Sequence, residues 1–334
     1  MARVPLPSRP GRILLLHFGQ MGDAVLALPV ARALREAYPD AEVTVLAGRS
    51  GAEVFRLAGF SPVWAVDRAG WRDSPWRAAR EMPALVAKLR GRRFDLSVDL
   101  HSYKETNLLA WAAGAPARVA MLRPTRSWPR LITHRPPPDD PTAHLLDRYC
   151  RVLEPLGITV PDRQPRLRAD TEVQAWAERE LPADRAWLGI CPGAGHPSRR
   201  WPAERFAAAV TAWIQPLTPA PGVVIFAGPE EDEEQLAGLR ELPGARICRG
   251  LSIPQLAAAL ARCRVALTNA SGPSHIAAAA GSAVVTVGEI PMFDPVGRVI
   301  PVRARRWVKD ISVAAVAEAL AAAWQSPAAT RSPG

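Results

Sequence analysis

A chain of 334 residues, 48% hydrophobic and 22% charged, is ordinary for a core-forming protein and long enough for two domains. It holds no apolar run of about 18 residues, which excludes a membrane-spanning helix. Its four cysteines, at 150, 191, 248 and 263, lack paired spacing, which argues against a zinc site or a disulfide framework. The net charge of +10 is uneven: residues 1–160 carry 23 basic against 15 acidic side chains, and residues 161–334 carry 19 against 17.

A basic first half suits an anionic partner, although it also fits a solvated, arginine-rich surface. No nucleic-acid motif is present, so an anionic membrane or a phosphorylated substrate is the better match. The apolar run Ile13–Leu16 is too short for a signal peptide, and a cytosolic protein is expected.

In chain order, Arg12–Phe18 is an apolar strand of the kind buried on both faces of a parallel sheet. Gly19-Gln20-Met21-Gly22-Asp23 follows as a loop, and Ala24–Tyr38 has helical spacing. Asp23 stands at or just before the helix start, where a carboxylate caps free N–H groups. It also stands at the carboxyl end of the first strand, where open α/β sheets hold ligands. The glycine spacing is not that of a dinucleotide site. Strands are expected at Glu42–Gly48, Val63–Val66, Phe94–Leu100 and Arg118–Ala120. Helices are expected at Arg72–Leu89, interrupted by Pro75 and Pro83, and at Lys104–Ala113 and His144–Leu156. Residues 123–135 form a basic loop with Arg123, Arg126, Arg130 and Arg135, and the proline-rich Pro136–Pro141 reads as exposed.

Thr159–Asp170 reads as an inter-domain linker before a helix at Thr171–Leu181. Trp187–Cys191 restarts the strand, glycine loop and helix pattern, with Pro192-Gly193-Ala194-Gly195 as the loop. A strand at Val223–Ala227 precedes the acidic run Glu230–Glu234, which suits a helix start. Ser252 caps another helix. Val265–Asn269 is a strand, and a helix begins near Pro273. Gly272 admits close approach to a ligand, and N–H groups at that helix start favour an anion such as a diphosphate. His275 falls near the same mouth. The turn also fits an ordinary strand-to-helix connection. A strand at Ala283–Val287 and a helix at Val313–Trp324 complete the chain, with a disordered tail over 326–334. The expected domains are therefore 1–160, a linker and connecting helix over 161–180, and 181–325.

Three motifs carry a family resemblance. Ile13–Leu16 with Gly22-Asp23-Ala24-Val25-Leu26-Ala27-Leu28-Pro29 closely resembles the start of the ADP-heptose:lipopolysaccharide heptosyltransferases, glycosyltransferase family nine. Arg199-Arg200-Trp201-Pro202-Ala203-Glu204-Arg205-Phe206 looks like the start of that family's second domain. Asn269–Ala280 resembles its nucleotide-sugar loop. The resemblance implies an α/β protein of two Rossmann-like doubly wound domains facing a central cleft (GT-B), the first binding acceptor and the second binding donor. It implies Asp23 as general base and Arg199, where the family has Lys, as a phosphate-facing cation. Donor contacts would come from Gly193, Arg199, Arg200, Glu231, Ser271, Gly272, Pro273 and His275. Acceptor contacts would come from Gly22, His101, Lys104, Arg123 and Arg126. No metal or cofactor is implied. The donor would be ADP-heptose or another nucleotide-sugar, and the acceptor a lipopolysaccharide core or similar anionic glycolipid at the cytoplasmic face of the inner membrane. A monomer is expected. Two departures stand out: Ala270 replaces the family's Asp before Ser-Gly, and Gly288-Glu289-Ile290-Pro291 replaces its Gly-Pro-Thr-Asp turn. A family member that binds sugar nucleotide without transfer, and a two-lobed sugar-nucleotide epimerase, are the alternatives.

Overall fold

A computed structural model describes residues 4–228, 231, 233–288 and 291–326. The expected tail beyond Ser326, and Glu289 and Ile290 of the variant turn, lie outside the described residues. The chain divides into two compact units, residues 1–163 and 164–334.

The first unit runs β1 (Arg12–His17), α1 (Met21–Ala37), β2 (Glu42–Gly48), α2 (Arg49–Leu57), β3 (Val63–Val66), α3 (Arg68–Asp73), α4 (Pro75–Gly91), β4 (Leu96–Asp99), α5 (Lys104–Ala112), β5 (Ala117–Ala120) and α6 (Leu145–Val152). Its sheet has the order β3-β2-β1-β4-β5, and all pairs are parallel. Ile13, Leu14, Leu15 and Leu16 are fully buried, so β1 is apolar on both faces because helices cover both. Each such side chain contributes roughly 1.5–3 kcal/mol. The expected single helix over Arg72–Leu89 is two helices. Pro75 opens α4, and Ser74 Oγ accepts the amide of Arg77, so a new helix starts there.

The second unit runs α7 (Thr171–Glu180), β6 (Trp187–Cys191), α8 (Ala203–Ile214), β7 (Gly222–Ala227), α9 (Glu233–Arg240), β8 (Arg246–Arg249), α10 (Ile253–Arg262), β9 (Cys263–Asn269), α11 (Gly272–Ala279), β10 (Ala283–Gly288), β11 (Val299–Arg303) and α12 (Val313–Gln325). Its parallel sheet has the order β11-β10-β9-β6-β7-β8. The edge strands β8 and β11 are additions to the sequence expectation. Both are short and incompletely buried, and β11 carries Pro301, which an edge tolerates. The segment before α7 is less free than a linker: Leu167 is buried and its amide donates to the Ala279 carbonyl. α7 packs on α10 within this unit.

Both sheets reverse strand order between their first and fourth strands, β1 beside β4 and β6 beside β9. No helix among the described residues is long and apolar enough to cross a membrane. The four cysteines are unpaired, Cys191 and Cys263 are buried, and burial pushes both thiols up.

Trp201 ties the second unit together. It is buried edge-on to Phe206, and its indole N–H donates to the Ile311 carbonyl at 3.1 Å. Trp201→Ala is expected to lower the unfolding free energy by about 3–5 kcal/mol, read as a lower urea midpoint at unchanged slope.

Candidate functional site

In the first unit the chain turns at Gly19 between β1 and α1. A Cβ there would lie 2.8 Å from both Asp23 Oδ2 and His17 Cε1, so only hydrogen fits between carboxylate and imidazole. Asp23 is not the N-cap. Gln20 occupies that position, and Asp23, three residues on, reaches back to accept the Gln20 amide at 3.1 Å. His17 is wholly buried, with Nε2 3.2 Å from the Tyr149 hydroxyl. Burial lowers the imidazole to about 3, and the positive charge of Arg123 acts in the same direction. Burial, then the negative charge of Asp23, holds the Tyr149 hydroxyl well above its ordinary value. The base candidate thus sits in reach of two neutral, buried polar rings.

The end of β4 supplies the second wall. Asp99, buried, accepts the amides of His101 at 3.0 Å and Ser102 at 2.7 Å and the Asn107 side-chain amide at 3.0 Å. Desolvation raises its carboxyl to about 6, against those hydrogen bonds. Ser102 has a left-handed backbone, φ +49°, uncommon for a non-glycine residue. Its hydroxyl meets Ser127 Oγ at 2.9 Å and Asn107 Nδ2 at 3.1 Å, while Asn107 Oδ1 accepts the Trp128 amide at 2.8 Å. This buried network pins the basic loop against the start of α5. The ring of Tyr103 is the meeting point. Arg68 lies 4.6 Å from its centroid, Arg123 5.7 Å, Arg126 6.0 Å and the His101 ring 4.4 Å. His101 is buried, and desolvation lowers it well below the usual imidazole range.

The proline-rich stretch is not wholly exposed. The Asp139 side chain inside it is buried, takes a two-point contact from Arg148 at 2.8 and 2.7 Å, and lies 3.7 Å from Arg123. Two guanidinium groups draw the carboxylate inward, which composition could not reveal. Of the expected acceptor residues, His101, Arg123 and Arg126 converge on Tyr103. Lys104 is exposed on α5, and Gly22 is buried in α1. His17, Tyr103, Tyr149, Arg68, Asp139 and Arg148 join the site without having been singled out. Beside it, a cavity of about 730 Å³ opens at Gly19 and Gln20 and is lined by Arg49, Arg68, Asp67 and Glu105.

In the second unit Asn269 ends β9, buried. Its Oδ1 accepts the Trp201 amide at 3.0 Å, and its Nδ2 donates to the Pro192 carbonyl. Ser271, the N-cap of α11, gives no side-chain cap; its hydroxyl donates to the Gly193 and Asn269 carbonyls instead. The helix mouth at Gly272 and Pro273 is therefore not capped by the Ser271 side chain, the state in which a helix start can take an anion. A Cβ at Gly193 would lie 2.4 Å from Glu231 Oε1, so the loop after β6 runs directly over that carboxylate. Glu231 Oε2 also accepts the Gly228 amide. Glu231 thus braces two loops, and with Arg200 and Trp201 it lines a cavity of about 280 Å³. Arg200 Nε donates to the Ala194 carbonyl at 3.1 Å, and Arg199 is exposed at the end of a short 3₁₀ turn. His275 lies in the first turns of α11, buried. Ala270 packs close to the Gly288 backbone; a Cβ on Gly288 would come within 2.4 Å of the Ala270 Cβ.

A family model described as glycosyltransferase family 9 (heptosyltransferase) matches residues 82–288. The lipopolysaccharide core heptosyltransferase OpsX of Haemophilus influenzae is 21% identical over 284 residues, 83% of this chain and 78% of the relative. Lipopolysaccharide heptosyltransferase 2 of Escherichia coli is 26% identical over 305 residues, 83% and 82% of the two chains. The solved E. coli heptosyltransferase WaaC with ADP-2-deoxy-2-fluoro heptose has a TM-score of 0.75 at 20% identity, covering 93% of this chain and 99% of that one.

His17 makes stability depend on pH in a definite direction. It stays neutral in the fold to about pH 3 but takes a proton below about pH 6.5 once unfolded. The unfolded chain then binds the extra proton, so stability falls as pH drops from 6.5 toward 3. For this group alone the loss between pH 7 and pH 5 is about 2 kcal/mol. His17→Gln is expected to flatten the wild-type slope by that amount in urea titrations at the two pH values.

Proposed function

The chain belongs to glycosyltransferase family 9, and from that premise we propose that it transfers a heptose from ADP-heptose to a lipopolysaccharide-core or related glycolipid acceptor. Relatives named as lipopolysaccharide heptosyltransferases support the acceptor class, and a structural neighbour holding an ADP-heptose analogue supports the donor. The observation that carries the reading is Asp23, a half-buried carboxylate facing the bare Cα of Gly19 with neutral His17 alongside.

In this mechanism the acceptor hydroxyl attacks the anomeric carbon, and Asp23 takes its proton. The new glycosidic C–O bond forms as the bond to ADP breaks, and the electron pair leaves with the diphosphate. A base must reach the hydroxyl directly, and the Asp23 carboxylate, which packs closely on Gly19, is only half-buried and so keeps a side open to it. Charge growing on the departing diphosphate is met by the Gly272 amide at the uncapped start of α11 and by Arg199. Arg199 supplies charge but not a proton, because a guanidinium does not deprotonate. Arg68, Arg123 and Arg126 around Tyr103 suit phosphate groups on the acceptor. Leaving-group support then needs no metal ion. The protein acts as a monomer on the cytoplasmic face of the membrane that carries the acceptor.

Asp23→Asn is expected to lower kcat about 10²–10⁴-fold while the thermal shift given by ADP-heptose persists. Unchanged transfer by that variant would sink the assignment of the base. Gly272→Val is expected to do the opposite, weakening the donor-induced shift by crowding the helix mouth. Addition of EDTA is expected to leave the transfer rate unchanged.

A further inference from the structure

The outward stripe of α5 is unusual for a face in water. Lys104, Leu108 and Trp111 follow one another at helical spacing, with Leu108 43% and Trp111 50% exposed. Trp128, 43% exposed, is fixed beside them by the hydrogen bond that its backbone amide donates to Asn107 Oδ1. The basic loop places exposed Arg126 and Arg130 on either side of Trp128. Lys104, Arg126 and Arg130 have no ion-pair partner among the described residues, although Arg126 also faces Tyr103. α4, which packs on α5, carries Trp76 in its first turn, 86% exposed. Large apolar rings therefore alternate with unpaired cations on one side of the first sheet.

Tryptophan combines an apolar body with a polar N–H and settles at the headgroup level of a bilayer, and neighbouring cations are drawn to anionic lipid. We propose that the α5 face of the first unit docks on an anionic lipid surface. Leu108, Trp111 and Trp128 enter the headgroup layer, and Lys104, Arg126 and Arg130 lie over lipid phosphates. The unpaired positive charge selects this occupant over a second copy of the chain, whose matching face would carry the same sign. Arg126 belongs both to this face and to the ring of cations around Tyr103, so docking sets the acceptor-side residues at the level of the lipid. The proposal rests on the reading that the acceptor is a membrane-borne glycolipid.

Sedimentation with vesicles tests it without any acceptor present. The protein is expected to pellet with phosphatidylcholine vesicles containing phosphatidylglycerol, not with phosphatidylcholine alone, and to be released by salt. The double variant Leu108→Ser/Trp111→Ser, and separately Arg130→Glu, are expected to lower binding about tenfold or more at unchanged melting temperature. Both are expected to transfer normally to a deacylated acceptor in solution. Equal vesicle binding by variants and wild type overturns the proposal. So does light scattering that shows a wild-type dimer broken by the double variant, which would assign the face to a second copy. Vesicle binding without turnover of ADP-heptose would sink the proposed function and leave the docking face standing.

Discussion

The reversal of strand order in each sheet is the constraint on which the site residues depend. Where β1 lies beside β4, and β6 beside β9, the connections leave toward opposite faces and open a gap at the carboxyl ends. The chain supplies its polar groups there: His17 to Asp23 after β1, Asp99 to Lys104 after β4, Gly193 to Arg200 after β6, and Asn269 to His275 after β9. The strands beneath are almost entirely apolar and carry the stability, which leaves these loops free to hold polar, strained or charged groups.

The two units solve one problem in the same way. Each fourth strand ends in a buried polar residue, Asp99 on β4 and Asn269 on β9. Asp99 binds amides of its own loop and, through Asn107 and Ser102, holds the basic loop. Asn269 spans the amide of Trp201 and the carbonyl of Pro192, and so fixes the loop after β6. An unmet buried donor or acceptor costs roughly 1–3 kcal/mol, so loop positions that leave these groups unpaired are disfavoured. Positional accuracy at both sites therefore comes from strand ends more than from the residues facing a ligand.

Much of this was legible in the chain itself. Unbroken apolar runs marked β1, β6 and β9, and glycines after them marked the loops where backbone passes close to other groups. The family resemblance led to Asp23, Ser271 and Gly272 because those residues lie in contiguous motifs. What escaped was long-range pairing. Tyr149 meets His17 across 132 positions, and Asn269 meets Trp201 across 68, with no local spacing to betray either. Asp139 sat in a proline-rich stretch whose composition argues for exposure, yet Arg148 and Arg123 draw it in. Asp23 was placed at the helix boundary, but α1 begins earlier, at Met21, and the carboxylate caps from inside the first turn. Glu231, read as part of an acidic helix start and as a donor contact, lies ahead of α9 and braces the loops at Gly193 and Gly228. The strands β8 and β11 were invisible because short, half-exposed edges carry little hydrophobic pattern.

Arg123 and Arg148 share the carboxylate of Asp139 near the rings of His17, His101 and Tyr149, and the carboxylate of Asp23 completes the charge balance there. The imidazoles nearby are held neutral and add nothing to it. A guanidinium keeps its proton at every pH where a protein stays folded, and bulk electrolyte screens a buried charge poorly. The positive members of this cluster are consequently fixed by the architecture, and its response to acidity falls to the carboxyls, Asp99 first among them.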